Sequence, residues 1–277
     1  MNKKFLVLFI IIVLIGFVFY QNNSIEKTFI EYTDERVPKA FNGFKIIHIS
    51  DLHNKSFGKD QEKLLKKIKE EAPDIIVITG DLIDRRKYNL EVALTFVRGA
   101  VDISPVYYVS GNHEAWSAQY EKIKDELVSL NVEVLDDEKL SINKENSFID
   151  IIGLKDPDFN TSSYLEGNDT LALEKNLRDL SNEDNFQILL SHRPELFNLY
   201  AEEKIDLIFS GHAHGGQFRL PFIGGVIAPD QGLFPEYTSG LYAKDKSTLI
   251  VSRGLGNSII PIRFFNQPEI IVLTINN

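Results

Sequence analysis

DIIVITGDLID, residues 74–84, decides the fold: an unbroken run of apolar and β-branched residues stops at Gly80 and is followed by Asp81 and Asp84. A run without polar alternation fits a strand covered on both faces, as in an α/β sheet. The same pattern recurs outward in FKIIHISDLH (44–53), PVYYVSGNHE (105–114), FQILLSH (186–192) and DLIFSGHAH (206–214). Amphipathic segments separate these runs. Leu64, Leu65, Ile68 and Ala72 mark the first helix and Val92, Phe96 and Val97 the second, while Tyr120, Ile123, Leu127 and Leu130 share one face of a third. Short strands are expected through 132–134 and 148–154, helices around 171–180 and just beyond 192, and strands across 247–275. The polar stretch 156–170 reads as a surface loop within one domain, 44–277, and the sequence holds no internal repeat.

The chemistry lies at the ends of these runs. Asp51 and His53, Asp81 and Asp84, Asn112, His113 and Glu114, His192, and His212 with His214 all sit just beyond strand ends. In open α/β sheets the carboxyl ends of strands gather at one edge, where ligands bind. Asp51 with His53, and His212 with His214, are two apart and point to one side of an extended chain. Of six histidines only His48 lies inside a run, which marks it as structural. The chain has no cysteine, so disulfides and thiolate sites are excluded and a metal would take oxygen and imidazole ligands. Two divalent ions about 3.5–4 Å apart can hold a phosphoryl group and a hydroxide between them. One carboxylate must bridge such a pair, and Asp81, opening the central motif, is the natural choice. Mn, Fe and Zn all accept mixed N and O donors.

Charge narrows the partners. Lysine plus arginine number 30 against 40 acidic residues, a net charge of -10, and without Lys3 and Lys4 the balance is 28 minus 40, or -12. Such a body repels long nucleic acids over its general surface, and nothing in the sequence indicates a protein partner. Residues 1–25 are a targeting element: Phe5 to Tyr20 is apolar throughout, comes after two lysines and leads into polar residues. As a helix the apolar run reaches about 24 Å, short of a hydrocarbon core of roughly 30 Å, which keeps a cleaved signal peptide in view. No small-x-small pair comes after the run, so the preferred reading is an uncleaved single-pass anchor in the cell membrane. The lysines would then lie in the cytoplasm and the body outside. Secretion after cleavage is the alternative. Residues 26–43 read as a stalk with room for one edge strand.

The five blocks D-x-H (51–53), G-D-x-x-D (80–84), G-N-H-E (111–114), S-H (191–192) and G-H-A-H (211–214) resemble the calcineurin-like metallophosphoesterases in order and separation. The resemblance implies two mixed β-sheets sandwiched between helices, an α/β/β/α fold. It implies metal-dependent hydrolysis of phosphate mono- or diesters through a hydroxide bridging two divalent ions. It places Asp51, His53, Asp81 and His214 on one metal and Asp81, Asn112, His192 and His212 on the other. His113 would assist the leaving group, with Asp84 holding its ring, Glu114 would be structural, and Arg85 and Arg193 would be phosphate contacts. GHAHGGQFRLPFIGG (211–225), SRGLG (252–256) and PIRFFNQPEIIVLTI (261–275) resemble a bacterial, often membrane-associated branch with relatives of UDP-diacylglucosamine pyrophosphohydrolase. That branch implies a lipid or cell-envelope phosphate as substrate. A nucleotide phosphodiesterase or nuclease shares the metal site, and a non-catalytic scaffold shares the fold. Phe218, Leu220, Phe222, Ile223, Val226 and Ile227 either border a lipid-binding face or pack on the core.

Overall fold

In the computed structural model, which describes residues 3–161, 170–257 and 260–277, the five quoted runs become parallel strands of two facing sheets. The first sheet has the order β1 (Glu26–Thr33), β16 (Glu269–Asn276), β2 (Phe44–Ile49), β3 (Ile75–Thr79), β4 (Val106–Val109), β5 (Glu133–Val134). Its strands β2 to β5 are parallel, β16 runs antiparallel to β2, and β1 is parallel to β16. The second has the order β14 (Gly240–Lys244), β15 (Ser247–Val251), β9 (Leu207–Ser210), β8 (Phe186–Leu190), β7 (Ser147–Gly153), β6 (Glu138–Lys144). Here β15, β9, β8 and β7 are parallel and both edge strands antiparallel. Both sheets are therefore mixed.

The period of two inside each run sorts its residues between two apolar layers. Ile46 and Val77 meet Ile188, Leu190, Leu207 and Phe209 between the sheets. Ile47, Ile49, Ile76 and Ile78 face outward under α2 (Glu62–Lys69), α3 (Leu90–Val101) and α5 (Tyr120–Ser129). On the far side, Leu189, Ile208, Leu249 and Val251 lie under α6 (Leu171–Leu180) and α7 (Phe197–Glu202). His48 belongs to the layer between the sheets, as its position inside a run implied. Its Nε2 lies 2.7 Å from Thr79 Oγ1, its ring packs edge-on against Phe209, and burial pushes its pKa down to about 3.

Three stretches differ from expectation in instructive ways. The apolar N-terminus continues as α1 (Lys3–Asn23), 21 residues long, or about 32 Å at the helical rise, enough for a hydrocarbon core of roughly 30 Å. The helix outlasts the apolar run because Asn22 and Asn23 donate from their side chains to the carbonyls of Val18 and Phe19, at 2.7 and 2.9 Å, closing the last turn. Residues 26–43 are built into the body: β1 pairs along its whole length with β16, and Val37 and Phe41 are fully buried between the sheets. Among the described residues of 247–275, only β15 and β16 are extended strands. The polar stretch 156–170 begins with a 3-10 turn at Pro157–Asn160, and its residues 162–169 lie outside the described residues. After the second sheet's β9 come two small hairpins, β10 (Arg219–Leu220) with β11 (Gly224–Gly225) and β12 (Ile227–Ala228) with β13 (Gly232–Leu233). None of Phe218, Leu220, Phe222, Ile223, Val226 and Ile227 is buried, so these residues do not form part of the core.

Candidate metal centre

At the carboxyl ends of β2, β3 and β9 the chain turns sharply, and it does so on candidate ligands. Asp51, His53, Asp81, His212 and His214 all have left-handed backbones, with φ between 46 and 64°. Such a conformation costs a non-glycine residue on the order of 1–2 kcal/mol, and strain of this kind gathers at functional sites. Two glycines make the crossing of the β3 and β4 ends possible. A Cβ on Gly80 would lie 2.6 Å from Gly111 N, and one on Gly111 would lie 2.4 Å from Asp81 Oδ1. The SRGLG stretch seals the other side: a Cβ on Gly254 would sit 2.7 Å from Asp51 Cβ, and one on Gly256 2.3 Å from the Leu52 carbonyl.

The sequence-predicted ligands converge in two adjoining groups, all buried. Oxygen and nitrogen atoms of Asp51, His53, Asp81 and His214 lie within 4.8 Å of one another, and so do those of Asp81, His192 and His212. In the first group His53 Nε2 is 3.1 Å from His214 Nε2, and His214 Nε2 is 3.4 Å from Asp51 Oδ1. In the second, His192 Nε2 lies 3.1 Å from both Asn112 Oδ1 and His212 Nδ1. Asp81 joins them: its Oδ2 is 3.4 Å from His53 Nε2 and 3.4 Å from His192 Nε2.

Neighbouring groups aim these donors. His192 donates from Nδ1 to the Thr79 carbonyl at 2.7 Å, which leaves Nε2 facing the centre. His212 Nε2 is 2.8 Å from Asp230 Oδ2, so donation there turns the Nδ1 lone pair inward. The second oxygen of Asp81, Oδ1, accepts from His113 N–H at 2.8 Å. The electrostatics ask for positive charge. Burial opposes protonation of His192, but Asp81, Asp51 and Asp156 raise its pKa to about 10, and carboxylates raise His53 in the same direction. Burial also opposes ionisation of Asp51 and Asp81, yet the imidazoles hold both carboxyls below their usual range. Buried carboxylates that draw protons onto imidazoles would be served as well by divalent cations, and the N and O donor set fits them.

His113 lies beside this array, its ring centroid 4.4 Å from that of His53. Burial lowers its pKa to about 4. Its Nδ1 accepts from the backbone N–H of Arg85 at 3.2 Å, so the neutral ring carries its proton on Nε2. The Asp84 carboxylate, expected to hold this ring, is 3.6 Å from Nδ1, beyond hydrogen-bond range. Its oxygens are bonded instead to the guanidinium and backbone N–H of Arg86. Arg85 is partly exposed at the start of the adjoining 3-10 turn. Arg193, expected as a phosphate contact, is 1% exposed and is paired with Asp156, Asp158, Glu195 and Asp230. Glu114 has the structural place expected of it: fully buried, it accepts from the backbone N–H groups of Asp81, Gly111 and Ile83. Asp230 was not among the predicted residues. It lies in the turn between β12 and β13, at no motif spacing, and only the tertiary contact with His212 reveals it.

Comparison with known proteins agrees with this geometry. The family model for calcineurin-like phosphoesterases matches residues 44–216. The chain is 30% identical over 265 residues to the uncharacterized metallophosphoesterase YkuE of Bacillus subtilis, covering 94% of this chain and 88% of that protein. It is 31% identical over 258 residues to an uncharacterized metallophosphoesterase of Aquifex aeolicus, covering 91% of each. A transmembrane protein with metallophosphoesterase domain from Bos taurus is 31% identical over 255 residues, which are 88% of this chain and 55% of that one. None of these names states a substrate. The crystal structure of TT1561 from Thermus thermophilus shares the fold, with a TM-score of 0.51 over 76% of this chain and 89% of that one at 15% identity. With its fold, its buried histidine and aspartate cluster and the family match over 44–216, the chain belongs to the calcineurin-like metallophosphoesterases and is a hydrolase of that family.

Proposed function

We propose that the chain hydrolyses a lipid-linked or cell-envelope phosphate ester with two divalent ions, one held by Asp51, His53, Asp81 and His214 and the other by Asp81, Asn112, His192 and His212. The observation that carries the two-ion part of this reading is the place of Asp81 Oδ2, equidistant at 3.4 Å from a histidine nitrogen of each group. When bound, such a pair of ions lowers the pKa of a water and neutralises charge on the phosphoryl oxygens. The chain's own residues do the rest. The Thr79 carbonyl and Asp230 keep His192 and His212 turned to the centre. The Arg85 N–H keeps the His113 proton on Nε2, where it can pass to the leaving oxygen. Arg85 keeps the phosphate-contact role. Arg193, held among four carboxylates beside His212, fits a positioning role better.

The same reading keeps α1 attached as a membrane anchor with Lys3 and Lys4 in the cytoplasm and residues 44–277 outside. Its support is the fastening of the helix end. Gln21 Oε1 accepts from Asn266 N at 3.1 Å and Asn22 Oδ1 from Arg263 N at 2.9 Å, and cleavage beyond α1 would remove both acceptors. Asp81→Asn, assayed for bound metal and for phosphate release from mono- and diesters, tests the centre. Asparagine keeps the shape but bridges poorly, so metal content should fall and activity drop to background. Two metals retained with parental activity would refute the assignment.

A further inference from the structure

We propose that the loops bordering the metal centre form an apolar lip that enters the membrane carrying α1, so that the site opens onto the bilayer and takes the phosphate headgroup of a membrane lipid. The lipid part rests on the phosphoesterase reading above; the docking part does not. The lip starts at α1. Phe17 packs edge-on against Phe264 and Phe265, with ring centroids 5.5 and 5.3 Å away. Phe17 precedes the helix end at Asn23 by nearly two turns, about 9 Å. The 264–265 loop thus stands level with the outer end of the apolar helix, where a bilayer containing Phe5 to Tyr20 has its surface.

The same surface continues from there to the metal centre. Phe218 bridges to Phe264, and Arg219 N donates to the Phe264 carbonyl at 3.0 Å, which ties the first hairpin to that loop, while Val226 N donates to the Phe218 carbonyl and Phe234 N to the Val226 carbonyl, each at 2.9 Å, linking the second hairpin to the first. Asn266 donates to the His214 carbonyl at 2.7 Å, and Asp230 in the second hairpin reaches His212. On these segments Phe222, Ile223, Leu233, Phe234, Ile262 and Phe265 all face outward. Phe222 is fully exposed, while Leu233 and Phe234 are 68% and 67% exposed.

Folding does not account for these side chains. Phe222, Phe234 and Phe265 each have a left-handed backbone, with φ of 69, 54 and 49°, a conformation unfavourable for a bulky residue. Of these, Phe222 and Phe234 point away from the core and bring the fold little burial; immersed in an acyl layer they would be buried. A contiguous exposed apolar surface marks a docking site, and α1, entering the same surface, identifies the occupant as lipid. Attraction to anionic headgroups is not the driving force, because the body outside α1 carries a net charge of -12 (28 basic minus 40 acidic residues). Apolar burial is.

The absence of cysteine allows a single-site probe. The full chain would be reconstituted in phosphatidylcholine vesicles with an environment-sensitive fluorophore at Phe222→Cys or Phe234→Cys. Glu145→Cys, at the exposed β6–β7 turn, serves as control. Spin-labelled lipids should quench the label at 222 and 234 and leave 145 untouched. Phe222→Asp with Phe234→Asp should lower hydrolysis of dioleoyl phosphatidic acid or phosphatidylglycerol in the vesicle by roughly 10-fold or more, leaving dibutyryl versions in solution unchanged. No quenching at either position, or fluorescence that responds to protein concentration and not to lipid, overturns the lip. Quenching with equal losses on long and short esters overturns the lipid substrate. A parent with quenched probes and no activity on any ester counts against the phosphoesterase reading alone, since quenching requires no catalysis.

Discussion

Glu114→Gln probes how the ends of β3 and β4 are held together. The carboxylate is fully buried, its Oε2 accepting from Asp81 N at 2.8 Å and Gly111 N at 2.9 Å, its Oε1 from Ile83 N at 3.2 Å. Glutamine can keep the first two bonds with its carbonyl, but its amide then meets the Ile83 N–H donor to donor. An unsatisfied buried donor costs about 1–3 kcal/mol. Against this stands the cost of the charge itself: burial, then the nearby Asp81 carboxylate, raise Glu114 from 4.5 to about 7. That shift corresponds to roughly 3 kcal/mol of penalty on the ionised form. The folded pKa lies above the unfolded one, so the stability linked to this proton is fully present below pH 4.5 and is lost as pH rises through about 7.

In metal-free protein, then, the glutamine variant should be less stable than the parent by about 1–3 kcal/mol near pH 5. The gap should close toward pH 8, where only the parent carries the buried charge. Loading with metal offsets the charge of Asp81, so the gap should stay open across the range. Urea unfolding in mild detergent, monitored through the single tryptophan, Trp116, at the end of the adjoining helical turn, reads this directly. The same difference at both pH values without metal would refute the reasoning, as would an unchanged midpoint at pH 5.

Other expectations concern the centre. His113→Gln should cost roughly 100- to 10,000-fold with alkyl phosphate esters and far less with nitrophenyl esters, whose leaving group needs no proton; equal losses, or loss of metal, would mean the residue does something else. Asp84→Asn should show that leaving-group trend only weakly, because in the structure the Arg85 N–H holds the ring while Asp84 is bonded to Arg86, and a loss matching that of His113→Gln would contradict this. Asp230→Asn should weaken metal binding about 10- to 100-fold, with activity recovered at high metal concentration; a defect that added metal leaves untouched would rule out the positioning role. Gly111→Ala would drive a Cβ to within 2.4 Å of Asp81 Oδ1, so metal content and activity should fall together, and full activity would show that the crossing of the β3 and β4 ends is looser than it looks.

The sequence by itself determined the layers and which histidine, aspartate and asparagine side chains gather at one edge. Continuous apolar runs such as IIVIT and FQILL fit strands buried on both faces, and residues just past the ends of parallel strands gather at one edge. The seven predicted ligands are all present at one edge for that reason, and His48 is absent from it because it lies inside its run. What periodicity cannot carry is contact between residues far apart in the chain. The pairing of residues 26–33 with β16, the docking of α1 on the 260–266 segment, the approach of Asp230 to His212 and the pairing of Arg193 with Asp156, Asp158 and Asp230 each depend on partners from 18 to more than 200 positions away. The same holds for the exposed phenylalanines. As a string, GHAHGGQFRLPFIGG suits a core or a surface equally, and only the packed fold, with its interior already filled from both sheets, left Phe222 outside.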